Sequence, residues 1–332
     1  MTNSRVEVID DRLGSSRGRF FGEGYKNVTR RLTSVEVMPH SAAALGEVRG
    51  SATLIYDLNW STKGSRGGLR PHLSTLDGLL MAANLVEAYM VHTHQLDAAE
   101  RRRLWFSQLT FQASGTPDEE LANFEVSAVH IDCVADPASM LGYRSTFRTR
   151  IGGLKINCVL EHERPRNVGP AGRFAVIDDL LGPEAQRYYG VGYRARTLQV
   201  RDLELDAGAG RVRAQVGSAP QLREPDGVEA CYPKSLSILE GMVALAQMAQ
   251  VLIYEVDGLK RSRSNTLWMR RASMTRLNPE EPSALSANAT VTIEREKTLR
   301  LGVGTWRTFD LVGEFQGFVA RAALAHQLPE PA

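Results

Sequence analysis

Cysteine is scarce in this chain: three in 332 residues, at Cys133, Cys158 and Cys231. Their number is odd and their spacing scattered, with no CxxC pair and no local His/Cys cluster. Neither a disulfide framework nor a metal site is therefore expected. The thiols read as small hydrophobes in a reducing compartment. A run of roughly 18 consecutive apolar residues is also missing, so no membrane-spanning helix is expected. The opening MTNSRVEVIDD brings acids early and lacks an apolar stretch. It does not read as a secretory signal, and a cytoplasmic location is expected. Charge of one sign is absent too: 40 Lys and Arg against 38 Asp and Glu leave +2. That balance argues against a broad nucleic-acid surface. No Gly-x-Ser-x-Gly elbow, P-loop or strand-linked dinucleotide fingerprint occurs, which removes the motif grounds for nucleotide hydrolysis or hydride transfer.

What is present is a globular composition, 43% hydrophobic and 23% charged, in a chain long enough for two cores. One stretch occurs twice. VIDDRLGSSRGRFFGEGY at 8–25 aligns without a gap on VIDDLLGPEAQRYYGVGY at 176–193, an offset of 168. LSTLDGLLMAANLVEAYM from Leu73 aligns on LSILEGMVALAQMAQVLI from Leu236, an offset of 163 that also carries Leu104-Trp105 onto Leu267-Trp268. Two matches in the same order define a tandem duplication, with copies expected at 1–165 and 166–332.

Each copy has the same plan. Strand patterns at about 32–38 and 46–57 precede a helix from Ser74 to about Val91; strands at 105–112, 123–134 and 143–162 follow, the last span folded at Gly152-Gly153. The loop between helix and strand carries Arg101, Arg102 and Arg103, and residues 164–172 read as the linker. In the second copy strands are expected near 196–204 and 211–217, a helix from Ser237 to about Tyr254, and strands near 267–274, 286–296, 305–314 and 317–325. Both helices begin with a capping box, Ser74 with Asp77 and Ser237 with Glu240. Both are apolar on nearly every side, the mark of a helix inside a wrapping layer. The fold class is therefore α+β: a tandem, or double, hotdog, each half an antiparallel sheet wrapped around one long central helix.

Identical features in both copies serve the fold, whereas differences point to specialisation. By that logic Asp10-Asp11, Asp178-Asp179 and the Gly-x-Gly-Tyr loops are structural. The helix starts differ: His72 aligns with Ser235, and Asp77 with Glu240. Histidine titrates near neutrality and suits proton transfer, and a carboxylate at a buried helix start can have its pKa moved either way. His72, Asp77 and Glu240 are thus candidate catalytic residues, with capping as the plain alternative for the two acids. Asp77, Asn84 and Glu87 fall within roughly 80° on one helix, matched by Glu240, Gln247 and Gln250 on the other. These polar stripes are candidates either to line a substrate tunnel or to join the helices to each other. Trp105 and Trp268 are candidates for the same tunnel or for core packing. Arg101, Arg102 and Arg103, with Lys260, Arg261 and Arg263, are candidates for phosphate or carrier-protein contact, or for solvated loops; Arg270 and Arg271 are additional candidates.

VIDDRLGSSRGRFFGEGY together with PHLSTLDGLLMAANL resembles the avirulence protein D (AvrD) family, over nearly the whole chain. The resemblance implies a double hotdog acting on acyl thioesters in secondary metabolism, joining a 3-oxoacyl group to a small sugar-like or polyol acceptor. It is related in plan to A-factor-type hotdog enzymes. PHLSTLDGLL is also similar to the helix start of the double-hotdog dehydratases of polyketide synthases, with Asp77 in the place of the acid. The His-Gly-Pro run of that pattern is absent here. No cofactor is expected beyond acyl-CoA or an acyl carrier protein as substrate. Expected partners are the thioester, the acceptor and a carrier protein, with no nucleic acid and no membrane, in a monomeric pseudo-dimer or a homodimer. Dehydration of a 3-hydroxyacyl thioester and non-catalytic acyl binding are the alternatives.

Overall fold

The computed structural model describes residues 7–57, 60–61, 70–166, 168–219, 225–265, 267–280, 286–302, 304–315 and 317–329; the loop bearing Gly64, Gly67 and Gly68 lies outside them. The first copy contains α1 (Ile9–Leu13), β1 (Thr29–Met38), β2 (Gly46–Ile55), α2 (Thr75–Thr93), α3 (Ala98–Arg103), β3 (Trp105–Gln112), β4 (Phe124–Ala135), β5 (Tyr143–Ile151) and β6 (Leu154–His162). The second contains β7 (Gly172–Val176), α4 (Asp178–Leu181), β8 (Leu198–Asp206), β9 (Arg211–Ser218), α5 (Ile238–Val256), β10 (Leu267–Arg276), β11 (Ala287–Leu301), β12 (Gly304–Phe315) and β13 (Phe318–Gln327).

Among the described residues the strands form one sheet in the order β7-β1-β2-β4-β5-β6-β3-β10-β13-β12-β11-β9-β8. The halves join where β3 runs antiparallel to β10, with Phe111 opposite Ala272. Each half curls around its own helix, and the fold is a double hotdog.

The helices form where their sequences allow. Ser74 Oγ accepts the Asp77 amide at 3.1 Å, and Ser237 Oγ accepts the Glu240 amide at the same distance. These caps satisfy first-turn donors that no helical carbonyl reaches. Leu76, Leu79, Leu80 and Leu85 are fully buried along α2, as are Leu239, Met248 and Leu252 along α5. Each contributes about 1.5–3 kcal/mol by leaving water. The glycine after each capping acid is needed for contact with the sheet. A Cβ on Gly78 would stand 2.2 Å from Leu154 Cδ2, and one on Gly241 2.5 Å from Met274 Cε.

Three elements depart from expectation. The arginine-bearing loop is a short helix, α3, because Asp97 caps it by accepting from the amides of Ala99 and Glu100. The VIDD segments are helical turns, α1 and α4. The end of the expected linker leads directly into β7, which pairs with β1, Val35 opposite Phe174. The leader of the second copy is therefore an edge strand of the first half's sheet. Reciprocally, Val8 bridges Arg201 on β8. The repeat boundary at 165/166 falls between β6 and β7, and this exchange of leaders ties the copies across it.

Candidate active site

The acids at the helix starts are spent on the fold. Asp77 is fully buried; Arg30 lies 2.6 Å from its Oδ1, and Tyr56 and Ser74 donate to its Oδ2. Glu240 is held by Arg196 at 2.9 Å and accepts the Ser237 amide at 2.9 Å. Burial, followed by the Asp77 charge, pushes the Tyr56 hydroxyl far above its ordinary pKa, and burial with Glu240 does the same to Tyr188. Both tyrosines therefore remain hydrogen-bond donors. Neither acid lines the cavity that opens beside the start of α2. The geometry realises the capping role for both acids: Asp77 and Glu240 are capping carboxylates in buried ion pairs.

The polar stripes have a related explanation. Arg187 donates to Asn84 Oδ1 and pairs with Asp178 at 2.6 Å. Its counterpart at the offset of 168, Arg19, donates to Gln247 Oε1 at 2.6 Å and pairs with Asp10. The arginine of each leader thus clasps the helix of the other half. Glu87 holds Arg101 at 2.5 Å, and Arg101 also donates to the Leu181 carbonyl. These contacts give Asn84, Glu87, Gln247 and Arg101 partners within the protein, and none of the four lines the cavity at the start of α2. The repeated Arg19 and Arg187 were the available signal. Gln250, aligned with Glu87, instead faces the cavity.

That cavity, of about 710 Å³, lies at the start of α2. His72, Ser74 and Thr75 form one side, Phe20, Phe21 and Trp60 another, and Gln250, Tyr254 and Trp268 come from the second half. The His72 ring stands 5.4 Å from that of Trp268 and 6.1 Å from that of Trp60. His72 Nδ1 lies 3.2 Å from the Arg70 carbonyl oxygen, to which it donates. That bond leaves the lone pair on Nε2. Thr75 is the first residue of α2, so its amide is a donor without a helical acceptor at the positive end of a 19-residue helix.

A narrower apolar space of about 140 Å³ adjoins the cavity, sharing Phe21, Thr75, Gln250, Leu267 and Met269 as walls. It runs between Met242, Leu245, Ala246 and Ala249 of α5 and Met274, Leu311 and Leu324 on β10, β12 and β13.

The pseudo-equivalent place at the start of α5 is plugged. Arg276 aligns with Ala113 at the offset of 163, and Tyr188-Tyr189 with Phe20-Phe21 at 168. Arg276 and Glu229 form an ion pair at 3.1 Å in which each side chain is 1% exposed. Tyr189 donates to Glu229 at 2.6 Å, and Glu229 also accepts the amide of Ile238, the first residue of α5. Only about 10 Å³ remains there. A protein carboxylate therefore occupies, at α5, the position that Thr75 leaves open to the cavity at α2. Trp105 is buried under Arg276, 6.0 Å from its guanidinium, and lines neither the cavity nor the channel. Sequence reasoning missed Ala113, Glu229 and Arg276, although the offset already paired Ala113 with Arg276.

Among the basic candidates, Arg261 lines the cavity and donates to the Gly18 carbonyl at 3.1 Å and to Ser61 Oγ at 3.5 Å. Arg270 lines the cavity and donates to the Ser114 carbonyl. Arg103 pairs with Glu163. Arg102 is half-buried, and Lys260, Arg263 and Arg271 are exposed. Away from the cavity, His40, His94, His130 and His162 gather at the other end of α2. Burial, with neighbouring imidazoles contributing, lowers His94 and His130 to about 3, and burial lowers His162 to about 4.

Fold and site together define a double-hotdog protein with one open and one plugged pseudo-equivalent site per chain. The family model described as "Pseudomonas avirulence D protein (AvrD)" matches residues 4–329. The chain belongs to the AvrD family. No curated protein matches it. Similar solved structures include a conserved hot dog fold protein of unknown function from Alicyclobacillus acidocaldarius, at 12% identity and TM-score 0.36, covering 88% of this chain and 97% of that one. The acyl-CoA thioesterase II TesB2 from Mycobacterium marinum matches at 11% identity and TM-score 0.37, covering 86% and 93%. An inactive mutant of CurK dehydratase matches at 11% identity and TM-score 0.34, covering 86% and 96%.

Proposed function

We propose that the protein is an acyl-thioester enzyme that transfers a 3-oxoacyl group from coenzyme A or a carrier protein to a small hydroxylic acceptor of sugar or polyol type. One observation carries this reading: the open cavity at the start of α2 joins a histidine, a free helix-start amide and an adjoining apolar channel. The acyl chain lies in the channel beside α5. Its thioester carbonyl sits at Thr75, whose amide donates to the oxyanion. The acceptor hydroxyl attacks the carbonyl carbon while His72 Nε2 takes its proton. Collapse of the tetrahedral intermediate breaks the C–S bond, and the imidazolium returns the proton to sulfur, releasing the thiol. Arg261 and Arg270 supply positive charge at the cavity wall for phosphate groups of the donor or acceptor.

Mass spectrometry of wild type and His72→Ala with a 3-oxoacyl-CoA and a panel of polyols tests this. A new acyl ester with equimolar free coenzyme A, formed by wild type only, is the expected result. Loss of water from a 3-hydroxyacyl thioester without an adduct would replace transfer by dehydration, and binding without turnover would leave a carrier of acyl chains.

A further inference from the structure

The far end of α2 from the cavity carries a second constellation, which neither the sequence spacing nor the proposed reaction uses. His94 is the C-cap of α2, Cys133 lies on β4 and His162 ends β6. One ligand atom from each lies within 4.8 Å of the others. Residues 39 and 29 positions apart in sequence are brought together because β4, β5 and β6 are neighbours and curl over the helix end. The fold brings together three ligand-type side chains that the sequence spacing keeps apart.

The donor atoms are arranged as ligands. His162 Nδ1 lies 2.6 Å from the Glu163 carbonyl oxygen. It donates there, which fixes the ring and leaves the lone pair on Nε2, the arrangement that orients a metal-binding imidazole. That Nε2 faces Cys133 Sγ at 3.9 Å and Ser145 Oγ at 2.8 Å. His94 is 7% exposed, and its Nδ1 is buried without a hydrogen-bond partner among the described residues. Behind them His130 contacts Ser145 at 3.2 Å and His40 at 2.8 Å, so the surrounding shell is itself polar and hydrogen-bonded.

The second half shows what a closed version looks like. Asp257 is the C-cap of α5, as His94 is of α2, and His326 lies on the last strand of its half, as His162 does. Asp257 accepts from His326 Nδ1 at 2.7 Å and pairs with Arg307 at 2.8 Å. There the histidine is satisfied by a protein carboxylate and a guanidinium. In the first half an imidazole replaces the carboxylate, and two imidazoles and a thiol face one another.

We infer that His94, Cys133 and His162 form a structural binding site for a divalent cation of the zinc type. Two imidazole nitrogens and a thiolate are the donor set that such an ion prefers, with a fourth position left for water or Ser145. Zn–N of about 2.0 Å and Zn–S of about 2.3 Å require ligand separations of roughly 3.5 Å. Side-chain movement of about 1 Å closes the cluster from its present spacing. The ion would pin the C-terminus of α2 to β4 and β6, about 28 Å along the helix from the cavity. The inference is independent of the acyl-transfer reading.

The test uses the untagged full chain, stripped by chelator and titrated with Co²⁺ and then Zn²⁺. One equivalent of Co²⁺ should produce tetrahedral visible bands and a thiolate charge-transfer band, both erased by Zn²⁺. Cys133→Ser should remove the charge-transfer band while keeping a cold-stable fold by circular dichroism, and His162→Asn should weaken binding at least 10-fold. Absence of a thiolate band in the folded wild type overturns the inference, whatever the variants do. So does a band that persists unchanged in Cys133→Ser, because Cys158 or Cys231 would then be the ligand.

Discussion

Arg276 and Glu229 form a buried ion pair at 3.1 Å in the second half, where Ala113 leaves the matching volume of the first half open. That difference makes the duplication asymmetric: one helix start is closed by protein charge, and the other faces a cavity.

The plug is a stability element. Arg276→Met should leave Glu229 charged and unpaired in the core and cost about 3–5 kcal/mol, the penalty for halving a buried pair. Urea unfolding measures it. KM for the thioester, measured on the folded fraction, should stay unchanged because Arg276 lines only the plugged site.

His72 carries the proton in the proposed transfer. His72→Gln should lower kcat by about 10²–10⁴-fold, the range for a general base, with KM altered far less. Steady-state kinetics decide this, and a change confined to KM would reassign His72 to binding.

Asp77 separates the capping role from the catalytic one. Asp77→Asn removes the charge facing Arg30 and should destabilise by about 3–5 kcal/mol. Activity per folded molecule should fall by less than His72→Gln causes. Thermal melting beside active-site-normalised rates distinguishes the two, and a fully folded but inactive variant would return Asp77 to the mechanism.

Ala249 lines the apolar channel on the α5 side. Ala249→Phe should shorten the acyl chain that is accepted. At about 0.8 kcal/mol per excluded methylene, three or four methylenes amount to roughly a 100-fold loss in kcat/KM for long chains. Short chains should be spared, which a chain-length series would show.

Much of this architecture is legible in the sequence because it depends on local pattern. The two apolar helices with their capping serines, the Gly152-Gly153 hairpin and the duplication are all readable from spacing. β7 is not, because its five residues become a strand only by meeting the edge of β1 in the other copy. The polar stripe was visible on the helices, but its partners, Arg19 and Arg187, come from leaders exchanged between halves. His72 stands out as the member of its pair that differs. Ala113 does not, since its meaning is the absence of Arg276's bulk. His94, Cys133 and His162 carry no sequence signal, because only the curl of β4 to β6 brings them together.

The central claim is one open site per chain, at the start of α2. Isothermal titration of the protein with a non-hydrolysable 3-oxoacyl thioester analogue tests it most directly, with wild type beside Ala113→Arg. One equivalent per chain, abolished by Ala113→Arg in a protein that remains folded, is the result this account predicts. Two equivalents per chain, or one that survives Ala113→Arg unchanged, would contradict it.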